Sequence, residues 1–153
     1  DQDVHETMGG AYEGDWYPNV LFENPGHGNA WLILRLVGET SNRDGIGARI
    51  RVDVDGTDGP RTIQRVVSGG GSFGGNSLQQ EIGLGAGVTA ARVVVDWPAS
   101  GRRQTFEGVA PGRAYVVREG ADALEHAPLA KIDLADPLPP GEGGHSMDMH
   151  PAP

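Results

Sequence analysis

The chain has 153 residues, a formal charge of −9, twenty-five glycines, eleven prolines and no cysteine. Without cysteine there are no disulfides, thiolate metal sites, cysteine nucleophiles or covalent c-type haem, and the length suits one domain plus a tail. The negative charge argues against nucleic acid, whose phosphates require clustered Lys and Arg, and no run of about 20 apolar residues is present to span a membrane.

So much glycine and proline, with no collagen period and few aromatics, marks a turn-dense β protein. Eleven of the twelve basic residues are Arg, set mostly singly along predicted strands, which reads as solvated strand faces. The acidic, Lys-poor surface favours solubility and cations. The sequence opens at Asp1 with no initiator Met or signal segment, as expected of a processed mature form or a fragment.

Residues 1–14 are polar and Gly-rich without periodicity, an extended arm. Val20-Leu21-Phe22 forms a short apolar strand ended by the turn Asn24-Pro25-Gly26. Strands follow at 30–37, 46–54, 61–67, 78–84, 91–96, 104–109 and 114–118, with turn chemistry between them and no amphipathic helix of useful length. The centre of the pattern is residues 41–54. There Ala48, Ile50, Val52 and Val54 alternate with Arg49, Arg51, Asp53 and Asp55, the period of a half-buried strand. Before that run, Ser41-Asn42-Arg43-Asp44-Gly45 makes a turn: Asn and Asp bond their own backbone, and Gly45 is free to take positive φ. The turn is expected to join strands 30–37 and 46–54 into a hairpin. The expected core is Trp31, Ile33, Leu36, Ile50, Val52, Val54, Ile63, Val66, Ile82, Leu84, Val93, Val95, Phe106 and Val116.

Past Gly120 the composition changes. Residues 121–126 suit one helical turn, and 128–140 form a Pro-spaced apolar ribbon whose Leu129, Ile132, Leu134 and Leu138 are candidate partner-binding residues. The stretch 141–153 has no means of building a core.

Motifs that suggest chemistry are few. Gly69-x-Gly71-x-x-Gly74 fits a dinucleotide fingerprint, but Gly83 and Gly85 break the helix it would need, so a glycine turn is the better reading. Asp53, Asp55 and Asp58 form a candidate calcium loop, since hard cations take converging carboxylate oxygens. The spacing departs from the EF-hand form, and a hairpin tip explains the same residues. Ser68, Ser72 and Ser77 have no histidine near in sequence and no Gly-x-Ser-x-Gly elbow. Four of the five histidines fall in arms or tails and His27 in a turn, so no catalytic base is indicated. The sharpest signal is His145-x-Met147-x-Met149-His150, two imidazoles and two soft thioethers within six residues, a candidate copper site. A flexible terminus accounts for the same residues.

The series SNRDGIGARIRV, SGGGSFGGNSLQQEIGLG and VVVDWPASGRRQTFEGV resembles the ASPIC/UnbV domain over roughly residues 29–119. The most specific parts are Ser41 to Gly47, Gly69 to Gly71, Gly83 to Gly85, and Trp97-Pro98 with Gly101. The resemblance implies a small extracellular module found at the C-terminal end of proteins with FG-GAP or VCBS propeller repeats. Asn19-Val20-Leu21-Phe22-Glu23-Asn24 is similar to the end of such a repeat. The family offers no catalytic residues to carry over.

The expectation is therefore an all-β chain, a single antiparallel β-sandwich of about seven or eight strands with extended N- and C-terminal arms. Residues 1–28 are the N-terminal arm and connecting strand, 29–119 the sandwich and 120–153 the tail. The expected function is a non-catalytic extracellular or periplasmic binding and assembly module, an accessory or structural subunit docking on other protein subunits through its arms. Copper binding or delivery by the tail is the alternative.

Overall fold

The computed structural model describes residues 3–8, 19–72 and 74–130. Among them there is no helix. Twelve strands appear in chain order. They are β1 (Val4–Glu6), β2 (Val20–Phe22), β3 (Ala30–Val37), β4 (Arg49–Gly56), β5 (Gly59–Val66), β6 (Gly70–Gly71), β7 (Gly74–Gly75), β8 (Gln79–Gly85), β9 (Ala91–Trp97), β10 (Arg102–Val109), β11 (Arg113–Arg118) and β12 (Glu125–His126). Two four-stranded sheets, ordered β10-β9-β4-β5 and β12-β11-β3-β8, share one core. The fold is an all-β sandwich, with none of the sheets closed. Two further pairs, β1 with β2 and β6 with β7, stand as small two-stranded sheets.

The alternation read at residues 48–55 is real. Ile50, Val52 and Val54 are buried, while Arg49, Arg51 and Asp55 are exposed. The expected hairpin between β3 and β4 is not. β3 lies between β11 and β8 in one sheet, and β4 lies between β9 and β5 in the other. β4 pairs instead with the strand it reaches through the two-residue turn Thr57-Asp58, with Gly56 opposite Gly59. A two-residue turn suits antiparallel pairing; residues 38–48 form a longer connection that changes sheets.

Faces were harder to read than strands. In β3 the buried set is Leu32, Leu34 and Leu36, and Trp31 and Ile33 lie half-buried on the opposite face. Val66 is exposed, with Val67 buried in its place, and Val116 is half-buried between the buried Tyr115 and Val117. A strand apolar on both faces does not declare its inner one; the register with its neighbours does. β3 and β11 pair in parallel, Leu32 with Arg113 through Val37 with Arg118, while every other ladder among the described residues is antiparallel. Alternation has the same period in either direction, so direction is invisible to it.

Residues 121–126 do not form a helical turn. Glu125–His126 pairs with Tyr115 and Val116 as an outer strand, and the Ala127 N–H bonds the Ala114 carbonyl at 2.9 Å. Leu124 packs against the core. Backbone groups beside an open sheet edge gain partners by pairing with it, which a single isolated helical turn cannot match.

Candidate functional site

The segment 38–48 carries the chain from one sheet to the other, and its conformation follows from its residue types. The Asn42 Oδ1 accepts the N–H groups of Asp44 at 3.0 Å and Ile46 at 3.2 Å, and the Gly45 N–H bonds the Asn42 carbonyl at 2.8 Å. Gly45 sits at φ 71° with the Leu36 side chain against it. An added Cβ there would lie 2.5 Å from the Leu36 Cβ. Gly45→Ala is therefore expected to destabilise the fold by about 2 kcal/mol or more, from left-handed strain plus overpacking. A urea unfolding curve with an unchanged midpoint would contradict this.

The first turn of the segment points three consecutive N–H groups at one atom. Glu39, Thr40 and Ser41 donate to the Glu119 Oε2 at 2.8, 2.9 and 2.8 Å, and the Ser41 hydroxyl donates to Oε1 at 2.9 Å. Glu119 follows β11 and is only 5% exposed. Burial by itself raises its carboxyl pKa. Hydrogen bonds from the Ser100 hydroxyl, the Ser41 and Glu39 backbone and the Ser41 hydroxyl outweigh it and hold the group at about 2. Successive N–H groups of this kind form an anion-binding nest, and here the chain supplies its own anion. Sequence reading missed Glu119. Its only signal was an acid between Arg118 and Gly120, just past the apolar run Tyr115-Val116-Val117.

The outer face of the β10-β9-β4-β5 sheet carries a ladder of charges. Across one row stand Arg103, Asp96, Arg49 and Val66; across another stand Arg92, Asp53 and Thr62. Asp53 accepts from the Arg51 Nε at 2.9 Å, the Thr62 hydroxyl at 2.6 Å and the Arg92 Nη1 at 3.2 Å. The bonds from Arg51 and Thr62, with the charges nearby, hold its carboxyl at about 2 against a desolvation that raises it. Of the candidate calcium residues, Asp53 is thus engaged by three side chains, Asp55 lies two positions on, and Asp58 is in the β4–β5 turn. Among the described residues no group of three or more His, Asp or Glu is placed to hold a metal ion. Beside the ladder, a cleft of about 350 Å³ is lined by Arg49, Arg51, Gln64, Arg65, Val66 and Asp96.

A larger cleft, about 580 Å³, lies between residues 24–29 and the outer side of β3 and β8. His27, Trp31, Ile33 and Glu81 are among its lining residues, with Asn24 and Asn29 at the segment side. The Gln79 amide donates to the Glu81 carboxylate at 2.9 Å. Among the described residues no Ser, Thr or Lys lines the cleft. An aromatic, aliphatic side chains, the amides of Asn24 and Asn29, an imidazole and a carboxylate suit holding a ligand.

Of the remaining sequence-predicted residues, Leu129 is exposed just after β12. Ile132, Leu134, Leu138, His145, Met147, Met149 and His150 lie outside the described residues. Gly69, Gly71 and Gly74 belong to the glycine turn that frames β6 and β7, with the Asn76 N–H on the Gly69 carbonyl at 3.2 Å.

The fold and the nest together define a class: a two-sheet β module whose most distinctive residues bind its own backbone. Ser41 to Gly47 shape the crossover, and Trp97 and Gly101 close the β9–β10 turn through a bond of 2.8 Å. The chain belongs to the ASPIC and UnbV family, whose profile matches residues 38–124. No curated protein and no solved structure matches it.

Proposed function

We propose that the chain is a non-catalytic extracellular or periplasmic binding and assembly module, an accessory or structural subunit that docks on a larger complex or filament through its arms. The observation that carries this reading is the distribution of exposed apolar side chains. Seven large hydrophobics are exposed among the described residues. Five of them, Val4, Met8, Leu21, Phe22 and Leu129, lie outside the family-matched span. β1 and β2 place Val4 opposite Phe22 on one face, and Leu21 on the other. A two-stranded sheet by itself is marginal in water, and apolar groups on both faces favour a covering partner. A family whose domains are C-terminal modules of FG-GAP proteins fits a chain that works attached to something larger. That habit also supports the exported location.

The test is the native mass of the complex purified gently from its source. Changing Leu21→Asp with Phe22→Asp, and separately deleting residues 131–153, is expected to release the chain as a monomer. An unchanged native mass in both would overturn the reading. Truncation starts at 131 so that β12 stays in its sheet.

A further inference from the structure

We infer that the N-terminal hairpin of one copy docks on the Arg49–Arg65–Val66 face of a second copy, so that the chain assembles head to tail with itself. This rests on the assembly reading above and names the receptor surface for one arm.

The first support is charge. Residues 1–34 hold six acids and no Lys or Arg. Among the described arm residues, Asp3, Glu6 and Glu23 flank the exposed Val4, Leu21 and Phe22. All eleven Arg lie between positions 35 and 118. The hairpin therefore presents the Val4–Phe22 apolar pair on one face, with the acids Asp3, Glu6 and Glu23 beside it in the chain.

The second support is that the body offers the complement in one place. Only two of its large hydrophobics are exposed among the described residues, Ile46 at 45% and Val66 at 58%. They lie at the same end of the sheet. Val66 pairs with Arg49 across β4 and β5, and the Gly47 N–H bonds the Val67 carbonyl at 2.9 Å. Arg49 and Arg65 border the cleft beside Val66. Neither is in an ion pair among the described residues, whereas Arg51, Arg92, Arg103 and Arg118 each have a carboxylate. Asp96, across from Arg49 on the same cleft, is held directly by Arg103 and feels the Arg49 charge as well. Three guanidiniums around that one carboxylate leave net positive charge beside exposed aliphatic surface, which recognises an acidic apolar segment, with the charges setting encounter and register and the apolar contact the affinity.

Because the hairpin and the face are different surfaces, the contact is heterologous. It propagates into a ring or a filament rather than closing as a two-fold dimer. That distinction supplies the test. Sedimentation of the full chain at low salt is expected to show concentration-dependent oligomers that dissociate as salt rises. Phe22→Asp, with an intact face and a disabled hairpin, and Arg49→Glu/Arg65→Glu, with the reverse, are each expected to weaken self-association roughly tenfold or more. Mixing the two variants is expected to give a one-to-one dimer, since one good hairpin meets one good face. Arg35→Glu/Arg113→Glu carries the same net charge on other surfaces and is expected to assemble as the parent does.

A parent chain that stays monomeric at every concentration overturns the inference. So does a mixture that forms no dimer, or an Arg35→Glu/Arg113→Glu variant that dissociates equally, which would make the effect one of net charge. If the hairpin variant alone leaves the native complex of the source while the Arg49→Glu/Arg65→Glu variant remains in it, this inference falls and the assembly reading stands. All these positions are exposed, and matching thermal unfolding curves would show that the variants remain folded.

Discussion

Glu119→Ala is expected to lower the unfolding free energy by about 3 kcal/mol or more at neutral pH. The variant removes one oxygen that satisfies three backbone donors, and another that receives the Ser41 hydroxyl. Without that anchor the crossover is held less tightly, so Gly38 to Gly45 is expected to lose hydrogen-exchange protection before the sheets do. The pH dependence follows from the same contacts. The carboxyl, ordinarily near 4.5, is held at about 2 in the folded chain. A depressed folded value means the unfolded chain binds the proton first as pH falls. The contribution is therefore complete above about pH 4.5 and is lost as pH drops toward 2. A difference of that size corresponds to about 3 kcal/mol by linkage. Glu119→Gln keeps the shape and one acceptor but removes the titration, so its stability should fall less steeply over that acid range. Asp53, also held at about 2, leaves a residual slope in the variant. Parallel acid-unfolding curves for parent and Glu119→Gln would show that this carboxylate does not hold the crossover.

The second large effect is expected at Trp97. It is the largest of the fully buried side chains, at 1% exposure. Its indole N–H donates to the Gln104 Oε1 at 2.6 Å. The Gln104 amide in turn donates to the carbonyls of Ala121 at 2.6 Å and Arg118 at 3.0 Å. Trp97 thus fills the core and supports the corner that presents Glu119. Trp97→Ala is expected to cost about 3–5 kcal/mol, the range for removing a large buried aromatic. Trp97→Phe retains most of the apolar contact but loses the donor and strands the Gln104 oxygen, for an expected cost of about 1–3 kcal/mol. Chemical denaturation with an unchanged slope would measure both; if the two variants proved equally stable, the packing account would fail. Coupling to Glu119→Ala should be non-additive, because both changes release the same corner.

A good part of the fold was legible because its signals are local. Runs of alternating or continuous apolar residues marked the strands, and β3 came out with its predicted ends. Glycines and Asx residues marked the turns, and Asn42 and Gly45 act as their chemistry requires. The family resemblance rests on those same turn residues, which explains why it was readable while the site was not. Composition also excluded whole classes of chemistry, since no arrangement in space creates a thiol.

Tertiary structure decided everything that depends on which distant segments meet. It separated β3 from β4, because the turn that best serves β4 is the one to β5. It turned Leu32 and Leu34 inward rather than Trp31 and Ile33, because partner strands, not a strand apolar on both faces, set the inner side. It laid β11 parallel to β3, a direction that periodicity does not encode. It also brought Glu119 to three N–H groups some 80 positions away in the chain. A carboxylate's role comes from the donors around it, and those become neighbours only when both sheets have closed on their core.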